Sequence, residues 1–152
     1  MEKIKLMLVD DEERFLSTTK KLLEKRGYDV ITSSSGSEAL EKLHSHTVHV
    51  VILDVKMPGM DGMETLKEIK RLHPLTEVIM LTGHATVESA VDGMKAGAID
   101  YLMKPCDIEE LIERASQAFD KRTQVEERIR SAQARLYVKS PREILKQKNV
   151  DD

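Results

Sequence analysis

Four short apolar runs rich in branched residues constrain this chain more than any other feature: "IKLMLV" (4–9), "VHVVIL" (48–53), "EVIML" (77–81) and "AIDYLM" (98–103). Runs of this length, bounded by turn residues, read as buried strands, and a shorter "DVIT" (29–32) makes a fifth. The segments between and after them carry apolar residues at helical spacing: Phe15, Leu22 and Leu23; Ala39, Leu40 and Leu43; Leu66, Ile69 and Leu72; Val87, Ala90, Val91 and Met94. Strand and helix therefore alternate. Adjacent parallel strands need a right-handed crossover, which a helix supplies, so the pattern predicts a doubly wound α/β domain with helices on both faces of a parallel sheet. A chain of 152 residues is long enough to bury one such core. The core must be aliphatic, because tryptophan is absent and phenylalanine and tyrosine total five.

In a doubly wound sheet, ligands bind beyond the carboxyl ends of the strands. The polar residues at those ends are Asp10 and Asp11 after the first run, Asp54 after the third, Thr82 after the fourth and Lys104 after the fifth. Asp54 is the one charge between Val48 and Val55. Burying a carboxylate is costly unless it is paired or bound to a cation. Three carboxylates close together repel by about 1–4 kcal/mol per pair at 4 Å. Hard oxygen ligands without cysteine or paired histidines suit Mg²⁺ or Mn²⁺ rather than zinc. A carboxylate beside a divalent ion, a lysine and a hydroxyl is a site for an incoming phosphoryl group, with Asp54 as nucleophile.

The motifs "LVDDEE" (8–13), "LDVKMPGMDG" (53–62), "MLTGHA" (80–85) and "DYLMKP" (100–105), in that order and at those separations, closely resemble the receiver domain of two-component response regulators. The resemblance spans about residues 4–118. It implies a flavodoxin-like five-stranded sheet of order 2-1-3-4-5 and phosphoryl transfer to Asp54 from a partner sensor histidine kinase or phosphotransfer protein. Asp11, Asp54 and the main-chain carbonyl of Lys56 would hold Mg²⁺, with Asp10 assisting through water. Thr82 and Lys104 would hold the phosphoryl oxygens, and Tyr101 is the aromatic that turns inward when the threonine moves. The family also implies a cis bond between Lys104 and Pro105. Such a chain is a phosphoacceptor switch that assists its own phosphorylation and dephosphorylation, not an enzyme. The wording of residues 81–105 is similar to receivers of the nitrogen-regulator type, usually followed by an ATPase and a DNA-binding domain. The 34 residues after position 118 are too few for either. The alternative is therefore a regulatory fragment of a larger transcription activator. A haloacid-dehalogenase-like phosphatase would need a second Asp two residues after the nucleophile, where Lys56 stands.

The expected domains are a receiver, 1–118, and a C-terminal helical extension or linker, 119–152. Leu111, Ala115, Ala118, Arg122, Val125, Ile129, Ala132 and Leu136 run in strict 4,3 alternation, a heptad seam that predicts an extended last helix pairing with a second copy. A break is expected at Pro141, with a frayed end beyond it. Pro58, Gly59, Asp61 and Gly62 read as a sharp turn with Asp61 capping the next helix. His44, His46 and His49 read as solvated or locally bonded rather than as metal ligands. His84, two residues after Thr82, overhangs the site, and Cys106 reads as packing near a helix start. Net charge is −3; residues 119–152 hold nine Lys/Arg against six Asp/Glu, a surplus of three that leaves −6 on the first 118. Without an aromatic platform or a dense basic run, that bias predicts a solvated helix and no direct nucleic-acid binding. No targeting segment or membrane span is visible, and a single cysteine fits a reducing compartment; the expected location is cytoplasmic.

Overall fold

Side-chain alternation along the strands decides the layering. The computed structural model describes residues 2–55 and 61–151, with side chains through Leu136. Five strands, β1 (Lys5–Val9), β2 (Asp29–Ser33), β3 (Val50–Leu53), β4 (Glu77–Thr82) and β5 (Asp100–Met103), alternate with five helices. The helices are α1 (Glu13–Lys25), α2 (Gly36–Ser45), α3 (Gly62–Leu72), α4 (Val87–Lys95) and α5 (Ile108–Asp151). All strand pairs are parallel, in the expected order β2-β1-β3-β4-β5.

Successive strand residues point to opposite faces. Leu6, Leu8, Val50, Ile52, Ile79, Leu81 and Leu102 pack with Leu16 and Leu23 of α1 and with Leu111, Ala115 and Ala118 of α5. Met7, Val9, Val51, Leu53, Val78 and Met80 pack on the other side with Ala39 and Leu43 of α2 and Leu66 and Ile69 of α3. The strands read as unbroken apolar runs because both of their faces are covered. Helix starts follow local chemistry. Ser35 caps α2 by accepting from Glu38 N, Asp61 caps α3 by accepting from Met63 N at 2.6 Å, and Thr86 and Ser89 form a capping box on α4.

Several sequence expectations give way here. The apolar stripe of α4 is not core: Val87 is 84% exposed, Val91 and Met94 are also exposed, and Gly93 is the buried residue of that helix. The fifth run is not a fully buried strand. β5 pairs with β4 alone and ends on exposed Met103, because an edge strand offers its neighbouring helix too little sheet to cover it. Leu22 and Leu72 also lie in solvent. His49 is neither solvated nor locally bonded. It is buried, its Nδ1 accepts from Lys5 N at 2.9 Å, and its ring meets Phe119 edge-on, because it directly precedes β3, which runs through the core. His44 and His46 are exposed, as expected, and His46 Nδ1 sits 3.1 Å from Lys42 O.

The chain divides into two compact units, Met1–Arg122 and Thr123–Asp152. The second is the continuation of α5. Its backbone stays helical through Pro141 to Asp151, against the expected break, since a proline forfeits one backbone hydrogen bond while the residues around it, rich in Leu, Lys, Arg and Glu, favour helix on both sides. The first three seam positions, Leu111, Ala115 and Ala118, pack into the first unit's own core rather than on a partner helix, whereas Ile129 and Leu136 are exposed.

Candidate functional site

The ladder hydrogen bonds run one residue past the strand ends. Asp10 N donates to Ser33 O at 3.1 Å, Asp54 N to Val9 O at 3.0 Å and Lys104 N to Thr82 O at 2.9 Å. Each polar residue is thus held by sheet-like backbone although none is in a strand except Thr82. The alternation also continues. Asp10, Asp54 and Lys104 share the parity of the residues facing α1 and α5, and their side chains meet: Lys104 Nζ lies 2.5 Å from Asp10 Oδ2 and 3.9 Å from Asp54 Oδ2.

Asp54 is 5% exposed, and its Oδ1 is buried without a hydrogen-bond partner among the described residues. A buried acceptor left unpaired costs about 1–3 kcal/mol, more when charged, so this oxygen is poised toward something that binds it. Burial pushes the Asp10 carboxyl above its ordinary range, and the nearby Asp54 charge adds to the rise; the Lys104 hydrogen bond and the Glu12 N–H, 2.9 Å from Asp10 Oδ1, offset part of it. For Lys104, burial pulls the ammonium down, but the Asp10 hydrogen bond and the charges of Asp10, Asp54 and Glu12 together hold it above its ordinary value. The lysine is therefore a fixed cation.

Oxygens of Asp10, Asp11 and Asp54 all lie within 4.8 Å of one another, with Asp11 exposed and the other two buried. Ligand oxygens sharing one octahedral Mg²⁺ at about 2.1 Å sit about 3–4.2 Å apart. The three carboxylates and the unpartnered Asp54 Oδ1 therefore fit a small hard cation with little adjustment. Lys56, whose carbonyl the family resemblance adds to that set, lies outside the described residues, as do Pro58 and Gly59.

Thr82 is fully buried at the end of β4; its Oγ1 accepts from His84 N at 3.1 Å, and its own hydrogen has no acceptor among the described residues. The His84 side chain is exposed at the mouth. Tyr101 has the opposite parity to Lys104. Its hydroxyl sits 2.7 Å from Ser89 Oγ and its ring lies beside Gly93, both in α4. Lys104 and Pro105 are joined by a cis bond. Three further contacts escape the sequence. Glu12 Oε1 stands 3.4 Å from Lys104 Nζ, the Phe15 ring centroid 4.1 Å from it, and Ser89 holds Tyr101. Glu12 stands at the N-cap position of α1 and Phe15 lies three residues on in its first turn, a spacing that puts both on one side of the helix.

Sheet order and site together define a flavodoxin-like doubly wound domain with an acidic cluster and a fixed lysine at its carboxyl edge. The chain belongs to the response regulator receiver domain family, whose model matches residues 6–116. It is similar to the transcriptional regulatory protein ZraR of Escherichia coli K12, 41% identical over 110 residues that cover 72% of this chain and 25% of the relative. It is also similar to the DNA-binding transcriptional regulator NtrC of the same strain, 40% identical over 120 residues, 77% of this chain and 26% of the relative. The crystal structure of a CheY-like receiver domain protein from Methanospirillum hungatei superposes with a TM-score of 0.78 at 32% identity, covering 81% of this chain and 98% of that one. The chain spans about a quarter of the length of the curated relatives it matches. No helix among the described residues is long and apolar enough to cross a membrane.

Proposed function

We propose that Asp54 accepts a phosphoryl group from a sensor histidine kinase or phosphotransfer protein and that the domain, residues 1–118, is a phosphorylation-driven protein switch. The observation that carries this reading is the buried Asp54 Oδ1, unpartnered among the described residues, beside a fixed cation. A carboxylate oxygen of Asp54 attacks phosphorus, the phosphorus–nitrogen bond of the donor phosphohistidine breaks, and its electron pair returns to the departing imidazole. Lys104 and the uncommitted hydroxyl of Thr82 hold the phosphoryl oxygens. Asp11, Asp54 and the Lys56 carbonyl would hold Mg²⁺, with Asp10 assisting through water, and the ion would supply positive charge to offset the incoming oxygens. When Thr82 turns toward the phosphoryl group, Tyr101 leaves Ser89 and moves inward, altering the α4 surface with its exposed Val87, Val91 and Met94. The role is that of a cytoplasmic phosphoacceptor rather than an enzyme acting on other substrates, and we assign no direct nucleic-acid contact to this segment.

The test is incubation with acetyl phosphate and Mg²⁺, followed by intact-mass measurement. One phosphoryl group adds to wild type, chelation prevents it, and Asp54→Asn abolishes it because an amide is not a nucleophile. Equal labelling of the mutant overturns the assignment.

The short span relative to ZraR and NtrC favours a second reading, that the chain is the regulatory fragment of a longer transcription activator, with residues 119–152 as its linker. The exposed Ile129 and Leu136 of the seam suit pairing of that helix with a second copy. The size of the native protein on an immunoblot separates the two readings, and light scattering of wild type against Ile129→Lys tests the pairing.

A further inference from the structure

Among the described residues, Lys104 Nζ has these neighbours: Asp10 Oδ2 at 2.5 Å, Glu12 Oε1 at 3.4 Å, Asp54 Oδ2 at 3.9 Å and the centroid of the Phe15 ring at 4.1 Å. A cation within about 6 Å of a ring centroid is attracted to the negative face of the ring, more strongly where water is displaced. Here little water competes, since the lysine side chain is 16% exposed. The two buried carboxylates belong to the acidic cluster, so their oxygens are shared whenever a cation or a phosphoryl group is held there. Glu12 is exposed and at the limit of hydrogen-bond reach. Among the described residues, the Phe15 face alone is both close to the ammonium and uncontested by the chemistry of the site.

The ring is itself fixed. Phe15 sits in the first turn of α1 and packs against the core cluster of Leu16, Leu81 and Leu111. Beyond it a cavity of about 410 Å³, lined by Phe15, Thr19, Leu22, Leu81, Cys106 and Leu111 among others, borders Lys104. Without the ring, the ammonium would have open space on that side into which to swing.

We propose that Phe15 is a positioning residue for phosphoryl transfer: its ring seats Lys104 Nζ beside Asp54, where the ammonium meets the incoming phosphoryl oxygens. The inference rests on Asp54 being the phosphoacceptor. Phe15→Leu keeps an apolar side chain of similar volume and removes the ring face. Phe15→Tyr keeps the face. With acetyl phosphate and Mg²⁺, Phe15→Leu lowers the phosphorylation rate constant about two- to five-fold, the range that a cation–π contact of this kind supports. Phe15→Tyr restores the wild-type rate. A second reading needs no phosphorylation: the Lys104 ε-methylene protons, over the ring, resonate upfield of the other lysines in the NMR spectrum of wild type and Phe15→Tyr, and move to the ordinary position in Phe15→Leu. A Phe15→Leu variant with the wild-type rate and unmoved Lys104 signals overturns the role of the ring and leaves Asp54 as phosphoacceptor intact. A Tyr variant as slow as Leu also overturns it, since the loss then follows from packing rather than from the ring face. A wild type that takes no phosphoryl group on Asp54 overturns the parent reading, and this one with it, even where the upfield signals are present.

Discussion

Gly62 opens α3 directly behind the phosphoacceptor, and its hydrogen atoms are the only atoms that fit there. A Cβ built on it would lie 2.3 Å from Asp54 O, 2.5 Å from Val55 O and 2.6 Å from Val55 Cα, all backbone atoms without a rotamer to change. Real Cβ contacts essentially never fall under 3.0 Å, so either α3 or the Asp54–Val55 peptide must retreat by at least the difference, 0.7 Å. That movement stretches the 2.7 Å hydrogen bond from Gly62 N to Val55 O, a loss of about 1 kcal/mol. It also shears Leu66 and Ile69, both fully buried, against the sheet, and overpacking of that kind costs about 1–3 kcal/mol. Alanine regains about 0.5–1 kcal/mol through its smaller loss of backbone freedom. The net expectation for Gly62→Ala is destabilisation by about 1–3.5 kcal/mol, or roughly 4–14 °C in Tm for a domain of this size at about 2.1 cal/mol/K per residue. The assay is thermal melting by circular dichroism, with Gly83→Ala as control: nothing lies within 4 Å of that Cβ, and its change should stay within about 0.5 kcal/mol. Displacing the Asp54 carbonyl should also slow labelling by acetyl phosphate. A Gly62→Ala protein that melts with the control refutes the steric reasoning.

Lys104→Ala should keep the fold and part of the phosphorylation yet fail to switch, because one contact joining the phosphoryl group to β5 is lost; an unaltered phosphorylation-induced shift in oligomeric state or partner affinity contradicts this. His84→Ala should shorten the life of the phosphoryl group by unblocking the mouth, measured as loss of label over time; a longer life shows instead that the imidazole orients water, and an unchanged one removes His84 from the site. The Glu38 carboxyl is lowered to about 2 from its ordinary 4.5 by the Lys42 hydrogen bond and then by the N–H and hydroxyl of Ser34. A lowered acid stabilises the fold above its unfolded value and loses that contribution as pH falls toward its folded one. With the side chain 39% exposed, solvent screening leaves about 1 kcal/mol of it. Urea midpoints of wild type and Glu38→Gln should therefore differ at about pH 6 and converge toward about pH 2–3, and a gap independent of pH counts against the assignment.

Most of the sheet and the edge was legible because strands buried on both faces must be apolar throughout, so a charge that interrupts them stands out. Asp10 and Asp54 were visible for that reason, and the parallel crossovers that bring them level follow from the alternation of elements. Coverage was not legible. The stripe of Val87, Val91 and Met94 has the periodicity of a core helix, and nothing in its spacing says that α4 sits over a sheet edge too narrow to bury it. Nor does spacing reveal a meeting between Phe15 and Lys104, since it depends on the registers of β1 against β3, β3 against β4 and β4 against β5 and on the turn by which α1 leaves the sheet. His49 was misjudged because a polar residue directly before a strand looks like the end of a loop; the amide of Lys5, 44 residues away, donates to its Nδ1 and allows it inside.

The alternation that separates the two cores also fixes a route. Asp10, Asp54 and Lys104 belong to the side of α1 and α5, whereas Thr82 follows Leu81 and falls, with Tyr101, on the side of α4. A sheet is one chain thick, and its backbone is too well bonded to carry a displacement through. In the proposed switch, a change at the phosphoacceptor reaches the other side through side chains at the rim, where Thr82 stands between the layers and Lys104 joins the site to β5. The domain is a two-sided board whose layers connect at its rim, so a core substitution that leaves the rim in place is expected to alter stability more than the message.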